Sequence, residues 1–193
     1  MEQPAFHFAA PVLPPGMDYC ADFISASEER NLIERIGALP FRPAQYKEWN
    51  ARRRIISYGG RYDFAHNTLL DADPIAVFLH PLRERVAAWI GIEVPRLTHA
   101  LINEYSPGTP LGWHRDAPVY ETVAGVSLAS AGRMRLRPYP PPNGPGKAAH
   151  AVELAARSVY VLSGAARWDW QHAISPTKAL RYSITFRTLS SRG

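Results

Sequence analysis

Leu111-Gly112-Trp113-His114-Arg115-Asp116 is the stretch on which the rest of this chain turns. It follows a strand-patterned run and a Pro/Gly loop, and it sets a histidine and an aspartate two positions apart. In extended backbone, residues i and i+2 face the same side, so one imidazole and one carboxylate converge. Such a pair is common on surface strands and loops. As a metal motif it is incomplete, because one neutral nitrogen and one anionic oxygen ask for a third ligand further along.

Working outward, the bulk properties bound the answer. The 193 residues suit one domain with a real core. No run of 18 apolar residues marks a membrane span. Met1-Glu2-Gln3-Pro4 lacks the basic start and apolar core of a signal peptide. Cys20 is the single cysteine, so an internal disulfide is impossible, which fits a reducing cytoplasm. A net charge of +5 is compatible with a polyanionic partner, although many proteins this basic bind no nucleic acid.

Upstream of the motif, residues 1–17 are proline-rich and read as an extended arm, and Tyr19 to Ile24 as a short strand. Ser25-Ala26-Ser27-Glu28 has capping-box spacing, and Leu32, Ile33, Ile36 and Leu39 follow at helical intervals, predicting a first helix that ends near Pro40. Asp73-Pro74 is expected to open a second, with Ile75, Phe78, Leu79, Leu82, Val86, Trp89 and Ile90 as its apolar stripe. Between the helices, Arg52-Arg53-Arg54, Tyr58, Arg61 and Tyr62 mix guanidiniums with aromatics. That composition suits either a surface holding phosphates and stacking bases or a solvated loop with a few packed rings. His7, His66, His80, His99 and His150 have no ligand spacing and read as structural or exposed.

After Pro95 the pattern is strand: Thr98 to Tyr105, Val123 to Ser130, Gly132 to Pro138, Ala151 to Ala155, Arg157 to Ser163 and Leu180 to Leu189. The loop from Tyr139 to Lys147 is too rich in proline for a sheet interior. The expected fold is mainly β with flanking helices: a double-stranded β-helix, or jelly roll, with two N-terminal helices packed on one sheet. The chain reads as one domain over 1–193, with 1–95 as an extension carrying the helices and a substrate lid, and 96–193 as the core.

Two later features bear on the incomplete motif. His172 lies 56 positions past Asp116. A lone late histidine is usually no ligand, but here it supplies the missing nitrogen, and two His with one carboxylate form the open-faced set of non-haem Fe(II) oxygenases. The last strand alternates Arg181, Ser183, Thr185 and Arg187 with Tyr182, Ile184 and Phe186, so one face carries two guanidiniums. A guanidinium fork matches a carboxylate; the plain alternative is an amphipathic strand with its arginines in water.

Together, Asn103-x-Tyr105-x-Pro107-Gly108, His114-Arg115-Asp116, His172 and Arg181-x-Ser183-x-x-x-Arg187 resemble, in order and spacing, the AlkB-like Fe(II)/2-oxoglutarate dioxygenases. Val126-Ser127-Leu128 and Arg133-Met134-Arg135-Leu136-Arg137 are also similar to strands of that family. The match runs from about Pro95 to Arg187, with a looser likeness over Arg52 to Phe64. The resemblance implies that His114, Asp116 and His172 bind Fe(II). Asn103, Tyr105, Arg181 and Ser183 would bind 2-oxoglutarate, Ser183 standing where many relatives have Asn, and Arg187 would be the second arginine of that site. It further implies oxidation by O2 of an alkyl group, most simply demethylation of an alkylated base in single-stranded DNA or RNA. Arg52, Arg53, Arg54, Tyr58, Arg61 and Tyr62 would then form a nucleic-acid lid. Family members that repair DNA carry an acid two positions past the metal-binding aspartate, where this chain has Pro118; Glu121 is the nearby substitute. The alternatives are the same chemistry on a protein side chain, or a metal-binding jelly roll without catalysis, which would have no use for the arginine pair. The expected protein is a monomer with no membrane partner.

Overall fold

A computed structural model describes residues 13–46, 49–63, 66, 68–141 and 150–191. The arm through residue 12, including His7, lies outside these residues, as do Phe64 and the 142–147 part of the proline-rich loop. In chain order the elements are β1 Met17–Cys20, α1 Ala26–Gly37, β2 Arg42–Tyr46, β3 Trp49–Tyr58, β4 Arg61–Asp63 and β5 Thr68–Leu70. Then come α2 His80–Ile90, β6 Leu97–Tyr105, β7 Leu111–His114, β8 Tyr120–Leu128, β9 Gly132–Pro138 and β10 His150–Leu154. The chain continues through β11 Val159–Leu162, α3 Gly164–Trp168, β12 Trp170–Ile174 and β13 Arg181–Leu189. Among the described residues no helix is long and apolar enough to cross a membrane.

The strands form a seven-stranded sheet, β1-β11-β8-β13-β6-β3-β2, a four-stranded sheet, β10-β9-β12-β7, and the small pair β4-β5. Their pairings are antiparallel. Two apolar clusters follow. Leu32 and Ile36 of α1 and Leu82 and Val86 of α2 share one with Ile102, Ile184 and Phe186 of the large sheet. Met134, Leu136, Val152 and Leu154 of the small sheet share the other with Tyr160 and Leu162. The fold is mainly β, two antiparallel sheets enclosing a core in the manner of a jelly roll.

α1 starts where its box predicts: the Ser25 hydroxyl accepts from the Glu28 amide at 3.2 Å, and the Glu28 carboxylate accepts from the Ser25 amide at 2.8 Å. Three expectations need correction. The first strand is Met17–Cys20, not Tyr19 to Ile24. Asp73-Pro74 does not open α2, which begins at His80 with Pro81 in its first turn. The Asp73 carbonyl instead accepts from the Gly59 amide at 2.7 Å, which holds the 71–76 segment against the end of β3. The described residues also contain a third helix, the single turn α3, directly before the strand that carries His172.

Candidate metal centre

His114 ends β7, and β7 pairs with β12 so that His114 and His172 are direct register partners. Cross-strand partners on one face lie about 5 Å apart, and the two rings stand 4.2 Å centroid to centroid. Sheet register thus removes the long separation in sequence. With Asp116 just past the strand end, one ligating atom from each residue lies within 4.8 Å of the others. The His114 Nδ1–H donates to the Gly112 carbonyl at 2.8 Å, so Nε2 keeps its lone pair. Asp116 divides its oxygens. Oδ1 accepts from Arg187 Nε at 3.0 Å and Nη2 at 2.9 Å, while Oδ2 stands 3.7 Å from His172 Nε2.

The electrostatics suit a cation. Burial, reinforced by His114, pushes His172 down to about 3, and burial also lowers His114. Both imidazoles are therefore neutral at pH 7, and the 3.7 Å approach to Asp116 is not an ion pair. Burial alone would raise Asp116, but the Arg187 guanidinium, then His172 and His114, hold it well below the usual carboxylate range. Two neutral nitrogens and one ionised oxygen are the protonation states that metal ligation needs.

Arg187 is itself held. Its Nη1 donates to His99 Nδ1 at 3.3 Å, His99 Nε2 lies 2.9 Å from the Ser57 hydroxyl, and Ser57 donates to the Gly60 carbonyl at 2.6 Å. Burial and the Arg187 charge lower His99 to about 3, so it is neutral, and a neutral ring can accept from Arg187 while donating to Ser57. From α3, the buried Arg167 donates to the carbonyls of Asp116, Ala117 and Tyr120 at 2.7 to 3.2 Å, which clamps the turn after the metal motif.

Behind the triad lies a cavity lined by Asn103, Tyr105, Tyr160, Arg181, Ser183 and Arg187, among others. Arg181, 1% exposed, donates Nε to the Ser127 hydroxyl at 3.0 Å, and its buried Nη1 has no partner among the described residues. A Cβ at Gly132 would stand 2.6 Å from Arg181 Nε, and one at Gly125 would stand 2.5 Å from the Tyr160 ring. Glycine at those two positions is what lets the guanidinium and the phenol lie flat on the sheet. Arg53 Nη1 donates to Asn103 Oδ1 at 2.7 Å, and Asn103 Nδ2 donates to the Ser183 hydroxyl at 3.2 Å.

The structure therefore brings His114, Asp116, His172, Asn103, Tyr105, Arg181, Ser183 and Arg187 to one place. It divides the lid residues. Arg53 lines the cavity, whereas Arg54 turns to the opposite face, where its Nε meets the buried Glu104 at 2.6 Å. Tyr58 packs beside the helix-side core, Arg52 and Arg61 are exposed, Tyr62 is half-buried, and none of these lines the cavity. Glu121, half-buried on β8, does not line it either. Missed by sequence reasoning were Ser127, Tyr160, His99 and Arg167. Of these, only Tyr160 had an indirect signal, in Gly125, a small residue inside a strand pattern.

The donor set fits Fe(II), and the orphaned Arg181 nitrogen fits an anion bound beside it. Comparison with known proteins agrees. The relatives include frog (Xenopus tropicalis) tRNA (carboxymethyluridine(34)-5-O)-methyltransferase alkbh8, 27% identical over 186 residues, covering 88% of this chain and 26% of the relative. The zebrafish (Danio rerio) probable RNA/DNA demethylase ALKBH6 is 29% identical over 120 residues, covering 61% of this chain and 48% of the relative. The chain thus spans less than half the length of these two relatives. Among solved structures, OsALKBH1 superposes with a TM-score of 0.69 at 18% identity, covering 92% of this chain and 100% of that one. A Pseudomonas putida prolyl-4-hydroxylase reaches 0.58 at 20% identity, with 92% and 94% covered; both show the fold. The family model for the 2OG-Fe(II) oxygenase superfamily matches residues 16–187, which takes in every ligand described above, and the chain belongs to that superfamily.

Proposed function

We propose that the chain is an AlkB-like Fe(II)/2-oxoglutarate dioxygenase that removes alkyl groups from the bases of nucleic acid. One observation carries the reading: Arg181, whose buried Nη1 has no partner among the described residues, lines the same cavity as His114, Asp116 and His172. A buried guanidinium N–H without an acceptor is costly, and a dicarboxylate lying between it and the metal would satisfy it.

His114 Nε2, Asp116 Oδ2 and His172 Nε2 would hold the iron. Arg181 would take the distal carboxylate of 2-oxoglutarate, with Tyr105, Asn103 and Ser183 fixing its length along the sheet. Arg187 would supply the second positive charge, acting through Asp116 Oδ1 so that Oδ2 stays free for the metal. With O2, the bound pair would supply hydroxylation of a C–H bond as the keto acid loses CO2 and becomes succinate, one oxygen atom going to each product, and a hydroxylated N-methyl group would then leave as formaldehyde with its proton returned to the nitrogen. The chain's own contribution is geometric: an open metal face, a gripped cosubstrate and a cavity walled by Leu111, Met134 and Ile174 against water.

The names of relatives and the net charge of +5 support a nucleic-acid substrate. Arg52, Arg53, Arg61 and Tyr62 remain our candidates for the lid; Arg54 and Tyr58 are engaged on the other side. We treat 1–193 as one domain, with the lid in 1–95 and the catalytic core in 96–193, acting as a monomer in the cytoplasm. Pro118, where an acid would read a damaged base, counts against repair of the usual alkylated bases; the second reading is the same oxidation on a protein side chain.

Purified protein with Fe(II), ascorbate and 2-oxoglutarate should release succinate slowly. N-methylated single-stranded DNA, N-methylated RNA and methylated peptides, compared for formaldehyde, then decide the substrate. Iron binding without any spectral response to 2-oxoglutarate would leave a metal-binding protein and sink the oxygenase.

A further inference from the structure

The outer face of the four-stranded sheet carries charge that the cavity does not use. Met134 and Leu136 of β9 point into the core between the sheets, so Arg133, Arg135 and Arg137 project the other way. Trp113 of β7 meets them there, its ring 4.3 Å from the Arg137 guanidinium carbon and 5.1 Å from that of Arg135. At the end of the face Arg115 lies 4.2 Å over Tyr139.

Arg115, Arg135 and Arg137 are held in place without being neutralised, Arg137 buried at the base of the face, while Arg133 stands exposed beside them. Arg137 donates to the Gln171 side-chain carbonyl at 2.9 and 2.7 Å, and Arg115 to the Trp168 carbonyl at 2.9 Å. The Nε of Arg135 is buried with no acceptor. Among the described residues none of the four arginines forms an ion pair. The nearby acids are Glu153, register partner of Arg133, and Asp169, in the turn before β12. Neutral acceptors and ring faces fix a guanidinium plane while leaving its charge to the outside. Trp113 and Arg115 are also the immediate neighbours of His114, so the face starts at the metal ligand.

We propose that this face is a track for the phosphodiester backbone of a single-stranded nucleic acid whose target base enters the cavity. It rests on the nucleic-acid reading given above and adds where the rest of the strand runs. Guanidinium edges suit phosphate bidentately, and the partly exposed rings of Trp113 and Tyr139 add aromatic surface on which bases can stack, the combination that holds single strands without regard to sequence.

The test is fluorescence anisotropy with labelled oligothymidylates of about five and about twenty nucleotides, the shorter able to fill only the cavity mouth. The wild-type protein should bind the longer one more tightly. Arg133→Ala/Arg135→Ala should lose about tenfold in affinity for the longer one, and its salt slope should fall by about 1.4, the value for two lost single-strand phosphate contacts. Arg133→Lys/Arg135→Lys should keep most of both, and matching melting temperatures check that all three proteins fold. Equal binding of both lengths by wild type and the alanine variant, with one salt slope, overturns the track while the nucleic-acid reading stands. No binding of either length by wild type overturns both. Tighter binding of polyglutamate than of the long oligothymidylate overturns the track in favour of a protein partner.

Discussion

Between Arg181 and Thr188 every residue of β13 is buried, yet the two faces of the strand differ in almost every other respect. Tyr182, Ile184 and Phe186 enter the apolar cluster shared with α1 and α2. Arg181, Ser183, Thr185 and Arg187 line the cavity. Apolar burial stabilises at roughly 25 cal/mol per Å2, whereas a buried guanidinium gives back desolvation energy that its partners barely offset. One side of the sheet therefore holds the protein together, and the other is held in place at its expense. β3 repeats the division in adjacent residues, with Arg53 on the cavity side at Asn103 and Arg54 on the helix side at Glu104.

The sharpest way to break this contrast is one large change on each side. His172→Ala should abolish succinate release and iron binding, since two ligands cannot hold the metal in the open face, while the melting temperature stays near that of wild type. Phe186→Ala should cost about 3–5 kcal/mol of stability by leaving a cavity in a fully packed cluster. Its folded fraction should keep a normal KM for 2-oxoglutarate. A His172→Ala protein that still releases succinate would remove the metal assignment.

Arg181→Leu comes next. The KM for 2-oxoglutarate should rise about 100-fold, within the 2–5 kcal/mol expected when one partner of a buried charge pair is lost. The melting temperature should hold or rise, because the variant removes a buried N–H that has no acceptor. A fall in stability with unchanged KM would move Arg181 from the functional side to the structural one.

Much of the cavity face was legible beforehand, and the reason is the period of two. Residues alternating along β6 and β13 had to share a side once the apolar set was assigned. The strand that returns His172 was not legible, because register between β7 and β12 is a property of the whole sheet. Arg52-Arg53-Arg54 misled for the same reason that β13 informed: consecutive residues on a strand face opposite ways, so a run of like charge there is not a patch. α3 is too short to show helical periodicity. Asp73-Pro74 was the expected start of α2, but the Asp73 carbonyl accepts a long-range hydrogen bond from Gly59 that no local pattern shows, and the helix begins at His80.

Arg53→Ala and Arg54→Ala test that division at close range. Losing the Arg53 bond to Asn103 should raise the KM for 2-oxoglutarate about tenfold, the worth of one charge-assisted hydrogen bond, with the melting temperature unchanged. Arg54 is half exposed, so its ion pair with Glu104 contributes no more than about 1 kcal/mol. Its removal should lower the melting temperature by about 2–4 °C and leave the KM alone. If both variants behaved alike, the two faces of β3 would not be distinct.

The smallest effect lies at the outer rim of the helical layer and depends on pH. The Ser25 amide first, then the Ser25 hydroxyl and Arg85, lower Glu28 from 4.5 to about 2. A carboxylate whose pKa is depressed on folding stabilises the native state above its unfolded value, and that contribution fades as pH falls through the folded one. Stability from this cap is therefore complete above about pH 4.5 and gone near pH 2. Glu28→Gln should cost about 0.5–1 kcal/mol at pH 7, kept small by solvent around an exposed side chain. Melting curves of wild type and variant should converge as pH approaches 2, with succinate release at pH 7 untouched, because nothing on this rim touches the face that carries the chemistry.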